Sequence, residues 1–194
     1  MILKDRKQNK RITFKVNFII FLVSQNYKFI VWTDASSIER NGIEETTTGF
    51  VIKDGYFPPL IDSDVHLGIG NSKGELQAGI ESLRTLIDYC KCFDIDTRNA
   101  VVELKTDFPE LRRALGCNLV KCNNLEKLRL LRELKELERD FKYIKCDEID
   151  RTTNIAHNVC HFRSRYRDNG TVKKFHEIYE NPSICIVKER SLKN

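Results

Sequence analysis

An α/β domain with a five-stranded mixed sheet flanked by helices is the fold class this sequence predicts. Three observations carry it. Three strand-like runs follow one another with no helical pattern between them, later strand runs alternate with helix-period apolar stripes, and at Pro109 a strand gives way directly to a helix.

Each element follows from its own residues. Phe29, Ile30, Val31, Trp32 and Thr33 form a β-branched and aromatic run that reads as a first strand ending at Asp34, with a polar turn expected over Ala35 to Gly42. Thr46 to Lys53 (TTTGFVIK) reads as a second strand, closed by Asp54-Gly55, a turn pair that favours a hairpin into a third strand around Leu60 to Leu67. Ser72 opens a helix whose Leu76, Ile80, Leu83, Ile87 and Cys90 recur at spacings of three and four, giving one apolar stripe to lay on the sheet. Ala100 to Thr106 is a fourth strand that stops at Asp107, and Pro109 suits the first turn of a short helix ending near Gly116. Leu125, Leu128, Leu131 and Leu134 mark a further helix, Phe141 to Ile149 alternates as a fifth strand, and a last helix is expected from about Thr153 to Arg165.

A chain of 194 residues is long enough for one full core, and the reading is one domain over residues 27–165, a basic N-terminal extension over 1–26 and a C-terminal tail over 166–194. With 41% hydrophobic and 31% charged residues, disorder of the whole chain is excluded. The net charge of +5 divides unevenly: Lys4, Arg6, Lys7, Lys10, Arg11 and Lys15 against Asp5 account for all of it. A second basic stretch holds Arg163, Arg165, Arg167, Lys173 and Lys174 against Asp168, so any phosphate-binding footprint is local, not global. Seven cysteines, an odd number with no CxxC pair, point to a reducing intracellular compartment, cytoplasmic or nuclear. Ile12 to Val23 has the layout of a secretory signal behind a basic start. Lys15 and Asn17 interrupt it, and no small-x-small cleavage pattern follows, so an extra strand or helix packed on the core is the other reading. The stretch is too short to span a bilayer, and no membrane partner is expected.

Three acids stand at telling places: Asp34 at the end of the first strand, Glu75 in the first turn of the first helix, and Asp107 at the end of the fourth strand. Each alone has a structural reading, Asp34 as the start of an Asx turn, Glu75 as the partner of Ser72 in a capping box, Asp107 as a helix-dipole acid. Together they mean more. After a three-stranded meander, helix and strand, the first and fourth strands can lie side by side, so Asp34 and Asp107 would converge with Glu75 above them. Clustered carboxylates are costly without a cation among them, and hard oxygen ligands suit Mg²⁺ or Mn²⁺ held jointly with a phosphate.

TDAS around Asp34, TTTGFVI with Gly49, GELQAGIESL around Glu75 and LKTDFPEL around Asp107 resemble the successive motifs of the type 1 ribonucleases H, over roughly residues 27 to 165. The resemblance implies the ribonuclease H-like fold and metal-dependent endonuclease cleavage of the RNA strand of RNA/DNA hybrids. It also implies two Mg²⁺ or Mn²⁺ ions about 4 Å apart, bridged by Asp34 and completed by Glu75 and Asp107. The sequence departs from the family at the fourth acidic position, where RTTNIAHNVCH offers His157 or, one residue on, Asn158. Asp147, Glu148 and Asp150 are nearby acids that could compensate, and His157, Cys160 and His161 form a possible zinc cluster. The loop histidine and the basic helical handle that the family often has are both absent. The alternatives are therefore a catalytically weakened nucleic-acid-binding or scaffold module in a larger complex, with a protein partner on the tails, or a related exonuclease with another strand preference.

Overall fold

The computed structural model describes residues 27–116 and 122–165. The chain runs β1 (Tyr27–Arg40), β2 (Ile43–Lys53), β3 (Leu60–Leu67), α1 (Asn71–Cys92), β4 (Ala100–Thr106), α2 (Pro109–Gly116), α3 (Leu125–Glu138), β5 (Tyr143–Glu148) and α4 (Ile155–Arg165). The five strands form one mixed sheet in the order β3-β2-β1-β4-β5. The meander β1-β2-β3 is antiparallel, whereas β4 pairs parallel to β1 and β5 parallel to β4.

Two faces of β1 and β2 receive different helices, as the period of two requires. Phe29, Val31, Phe50 and Ile52 join the main core with Leu76, Ile80, Leu83 and Leu86 of α1, and with buried leucines of α2 and α3. Val51 faces the other way, where Ile61 and Val159 bury a smaller cluster under α4, with Trp32 and Ile155 against it.

The expected turn over Ala35 to Gly42 is corrected. β1 continues to Arg40, and the reversal is confined to Asn41 and Gly42, whose φ values of 52° and 75° are the left-handed pair of a two-residue hairpin. Asparagine and glycine tolerate that region, so the polar residues before them stay in the ladder. The last helix starts at Ile155, since Arg151–Thr153 forms a separate tight turn capped by the Asp150 side chain. On α3 the buried stripe is Leu130, Leu131 and Leu134, with Leu125 exposed. Among the described residues, no helix is long and apolar enough to cross a membrane. The apolar stretch Ile12 to Val23 and the tails lie outside the described residues.

Candidate metal centre

Strand register brings two of the acids together. β1 and β4 pair from Tyr27↔Ala100 to Trp32↔Lys105, and the same register carried forward sets Asp34 level with Asp107 just past the end of their pairing. Glu75 is the fifth residue of α1, just past its first turn, and the helix can settle close to the sheet because residue 74 is glycine. A Cβ there would run into the Thr46 side chain and lie 3.0 Å from that of Ala35. One carboxylate oxygen each of Asp34, Glu75 and Asp107 then lie within 4.8 Å of one another.

The structural reading of Glu75 as half of a capping box does not hold, because α1 has Gly70 at its N-cap and no side-chain cap there. Asp107 does not cap α2 either; Thr106 accepts from the Phe108 N–H. Freed of those tasks, the acids face one another at an electrostatic cost. Burial, then the charge of Asp107, pushes the Asp34 carboxyl up to about 7. Burial, then Asp34 and Asp107, pushes Glu75 up to about 9, even though the Ala35 backbone N–H donates to it. Glu75 Oε2 is buried without a hydrogen-bond partner. A buried, unpartnered carboxylate oxygen beside two further carboxylates is a donor set that a hard divalent cation would neutralise, so the residues fit such an ion.

The last helix completes the rim. α4 packs closely on β2 because residue 49 is glycine, where a Cβ would lie 2.7 Å from Cys160 Sγ and 3.1 Å from Val159 Cγ1. His157 then reaches across so that its Nδ1 shares a 2.9 Å hydrogen bond with Asp34 Oδ2, while Asn158 is exposed. Burial, followed by the Arg151 charge, holds the His157 imidazole below its ordinary range. The Arg151 guanidinium lies 3.3 Å from His157 Nε2 and 3.4 Å from His161 Nε2. The other nearby acids are engaged elsewhere: Asp147 pairs with Lys145, Glu148 with Arg112, and Asp150 caps its turn. The zinc cluster does not assemble, since the buried Cys160 thiol donates to the Asp34 carbonyl, 3.0 Å away.

Asn154 is the site-bordering residue that sequence reasoning missed. Its buried side chain donates from Nδ2 to the Thr33 carbonyl and to Asp107 Oδ1, each at 2.9 Å, and accepts from the Ala156 N–H. One amide thus ties together the middle of β1, the residue just after β4 and the start of α4. The available signal was its N-cap position ahead of the last helix.

A mixed sheet in this order, with an acid within β1 next to one just past β4 and helices on both faces, is the ribonuclease H-like fold. No protein-family model and no curated protein matches the sequence. Solved structures do. The chain is similar to ribonuclease H1 of Halobacterium salinarum, at 19% identity and a TM-score of 0.55, covering 69% of this chain and 93% of that one. It is similar to the N-terminal ribonuclease H domain of a Mycobacterium tuberculosis protein at 15% identity and a TM-score of 0.55, covering 69% and 95%. It is also similar to LC11 ribonuclease H1, isolated from compost by a metagenomic approach and solved in complex with an RNA/DNA hybrid, at 19% identity and a TM-score of 0.52, covering 66% and 88%. At these identities the likeness is one of fold.

Proposed function

We propose that this protein is a divalent-metal-dependent phosphodiester hydrolase that cuts the RNA strand of RNA/DNA hybrids internally. The observation that carries the reading is the convergence of Asp34, Glu75 and Asp107, with a buried Glu75 oxygen left unpartnered. Two Mg²⁺ or Mn²⁺ ions bound there supply Lewis-acid polarisation of the phosphate and a water activated near neutral pH. The three carboxylates hold those ions, Asn154 fixes Asp107 through its amide, and His157 orients Asp34. Arg151 sets a cation at the rim, where a phosphate oxygen would meet it. Basic tails outside the described residues add sequence-independent contacts to the nucleic-acid backbone.

A second reading rests on the 2.9 Å contact between His157 and Asp34. Where the ribonucleases H of the resemblance place a fourth carboxylate, this chain places an imidazole that occupies a carboxylate oxygen. The fold would then serve as a hybrid-binding or scaffold module with weak turnover and a protein partner on its tails.

Cleavage of a labelled RNA/DNA hybrid, with single-stranded and duplex controls and with Mg²⁺ or Mn²⁺, separates the two. The hydrolase reading expects hybrid-specific, metal-dependent cutting that disappears in Asp107→Asn. Folded protein that retains the hybrid but cuts it with neither metal would establish the binding module.

A further inference from the structure

A second group of metal-ligand side chains lies on the outer part of the sheet, built from residues that the first site does not use. Asp64 and His66 are two apart on β3 and so project from the same face, towards α1. Glu81 comes from α1, buried against that face. One ligand atom from each of Asp64, His66 and Glu81 lies within 4.8 Å of the others. His66 Nε2 stands 2.9 Å from Glu81 Oε1, and Glu81 also accepts from Thr48 Oγ1 at 2.6 Å and from Gln77 Nε2 at 2.9 Å.

A buried histidine–glutamate pair accounts for part of this, but not for the third member. Among the described residues Asp64 Oδ1 accepts from the backbone N–H of its own neighbour, Val65, which leaves its negative charge facing the pair. Even with His66 protonated, the three side chains carry a net negative charge. Beside Asp64 and Glu81, on the side away from the His66 contact, is a small cleft also lined by Asp62, Ser63, Thr85 and Phe50, with about 10 Å³ of room for a water-sized body; the two carboxylates line it and His66 does not. A polar recess of that size takes a water molecule or a single ion.

We propose that Asp64, His66 and Glu81 form a second metal site that takes a zinc-class divalent ion and clips the edge strand β3 to α1. The donor chemistry separates it from the first cluster. Three carboxylates alone suit a hard cation such as Mg²⁺, whereas an imidazole beside two carboxylates favours zinc, to which three protein ligands leave a fourth position for water. His66 would present Nε2 to the metal in place of the proton it now shares with Glu81. Thr48 and Gln77 would then hold the Glu81 carboxylate from behind, as outer hydrogen-bond partners do at metal sites.

The test is a calorimetric titration of the full chain, stripped of metal by chelator, with Zn²⁺ in the presence of excess Mg²⁺ to fill the first cluster. A parallel titration with Co²⁺ reads the visible absorption of an ion bound through nitrogen. The wild type is expected to bind one Zn²⁺ with a rise in melting temperature. Asp64→Asn, which leaves the His66–Glu81 contact in place, should weaken that binding by about tenfold or more. His66→Gln should remove the Co²⁺ absorption, and Asp107→Asn should leave both signals unchanged, so that failure here and failure of the hydrolase reading are told apart. If His66→Gln does not fold, Asp64→Asn decides alone. Zinc affinity equal in the wild type and Asp64→Asn, or no binding beside Mg²⁺, would reduce the cluster to a buried ion pair and overturn the proposal.

Discussion

Glu75 and Glu81 lie on the same helix, both are buried, and burial is in both the largest influence raising the carboxyl. They end on opposite sides of the ordinary glutamate range. Glu75 faces Asp34 and Asp107 and is pushed up to about 9. Glu81 is drawn below its usual value because hydrogen bonds from His66, Thr48 and Gln77 and the His66 charge more than offset its desolvation. Partners therefore decide what burial alone cannot: one glutamate keeps its proton until a cation takes its place, and the other stays ionised through its neighbours' hydrogen bonds.

Matched substitutions break or sharpen that contrast, and the largest effect is expected in activity. Glu75→Gln removes a ligand without changing shape, so hybrid cleavage should fall by about a thousandfold or more, given the several kcal/mol that bound metal contributes. The same variant should melt higher than the wild type in metal-free buffer, because a neutral amide escapes the cost of burying an ionisable carboxyl beside Asp34 and Asp107. A Glu75→Gln protein that cuts like the wild type would detach this carboxylate from the chemistry.

Next in size is a pH effect on metal-free protein. Asp34 and Glu75 have folded values of about 7 and about 9 against ordinary values of 3.8 and 4.5. The folded state thus keeps protons that the unfolded chain has released. Stability should fall as pH rises from about 4 through 7 towards 9, by an amount on the order of a few kcal/mol. Denaturant titrations at stepped pH read this directly. Saturating Mn²⁺ should flatten the dependence, and a slope unchanged by metal would mean that the ion binds elsewhere.

Glu81→Gln should act in the opposite sense to Glu75→Gln. It leaves His66 without its carboxylate and should lower metal-free stability by about 2 kcal/mol, seen as a shift in the denaturant midpoint. Smaller still is Gly49→Ala, whose added methyl must displace Cys160 or tilt α4, at about 1–2 kcal/mol. Its informative readout is cleavage, since a displaced α4 carries His157 away from Asp34.

The two acidic groups were not equally legible. Asp34, Glu75 and Asp107 stand out because a short motif surrounds each of them, Asp34 after a β-branched run, Glu75 near a helix start and Asp107 just past a strand. Asp64, His66 and Glu81 lie within regular elements, so only strand pairing and helix docking reveal that they meet. Asn154 was missed for a related reason: its cap position is visible, but its bonds to Thr33 and Asp107 join residues far apart in the chain. The Asn41–Gly42 hairpin is legible in a dipeptide, whereas the polar run Ala35 to Arg40 reads as a turn from sequence, and burial under α1 and pairing with β2 keep it in the sheet.

By itself the sequence determined the order and type of the elements, because periods of two and three to four residues are local consequences of which side chains must be buried. It also singled out the three acids through the short motifs around them, although β1 continues past Asp34. Only the tertiary structure decided which of His157 and Asn158 faces Asp34, that Asn154 fastens Asp107, and that a histidine and two carboxylates gather beneath β3. Those outcomes depend on how α1 and α4 dock at Gly74 and Gly49, where helix and sheet approach closely enough that rotating a helix by one residue would present a different side chain.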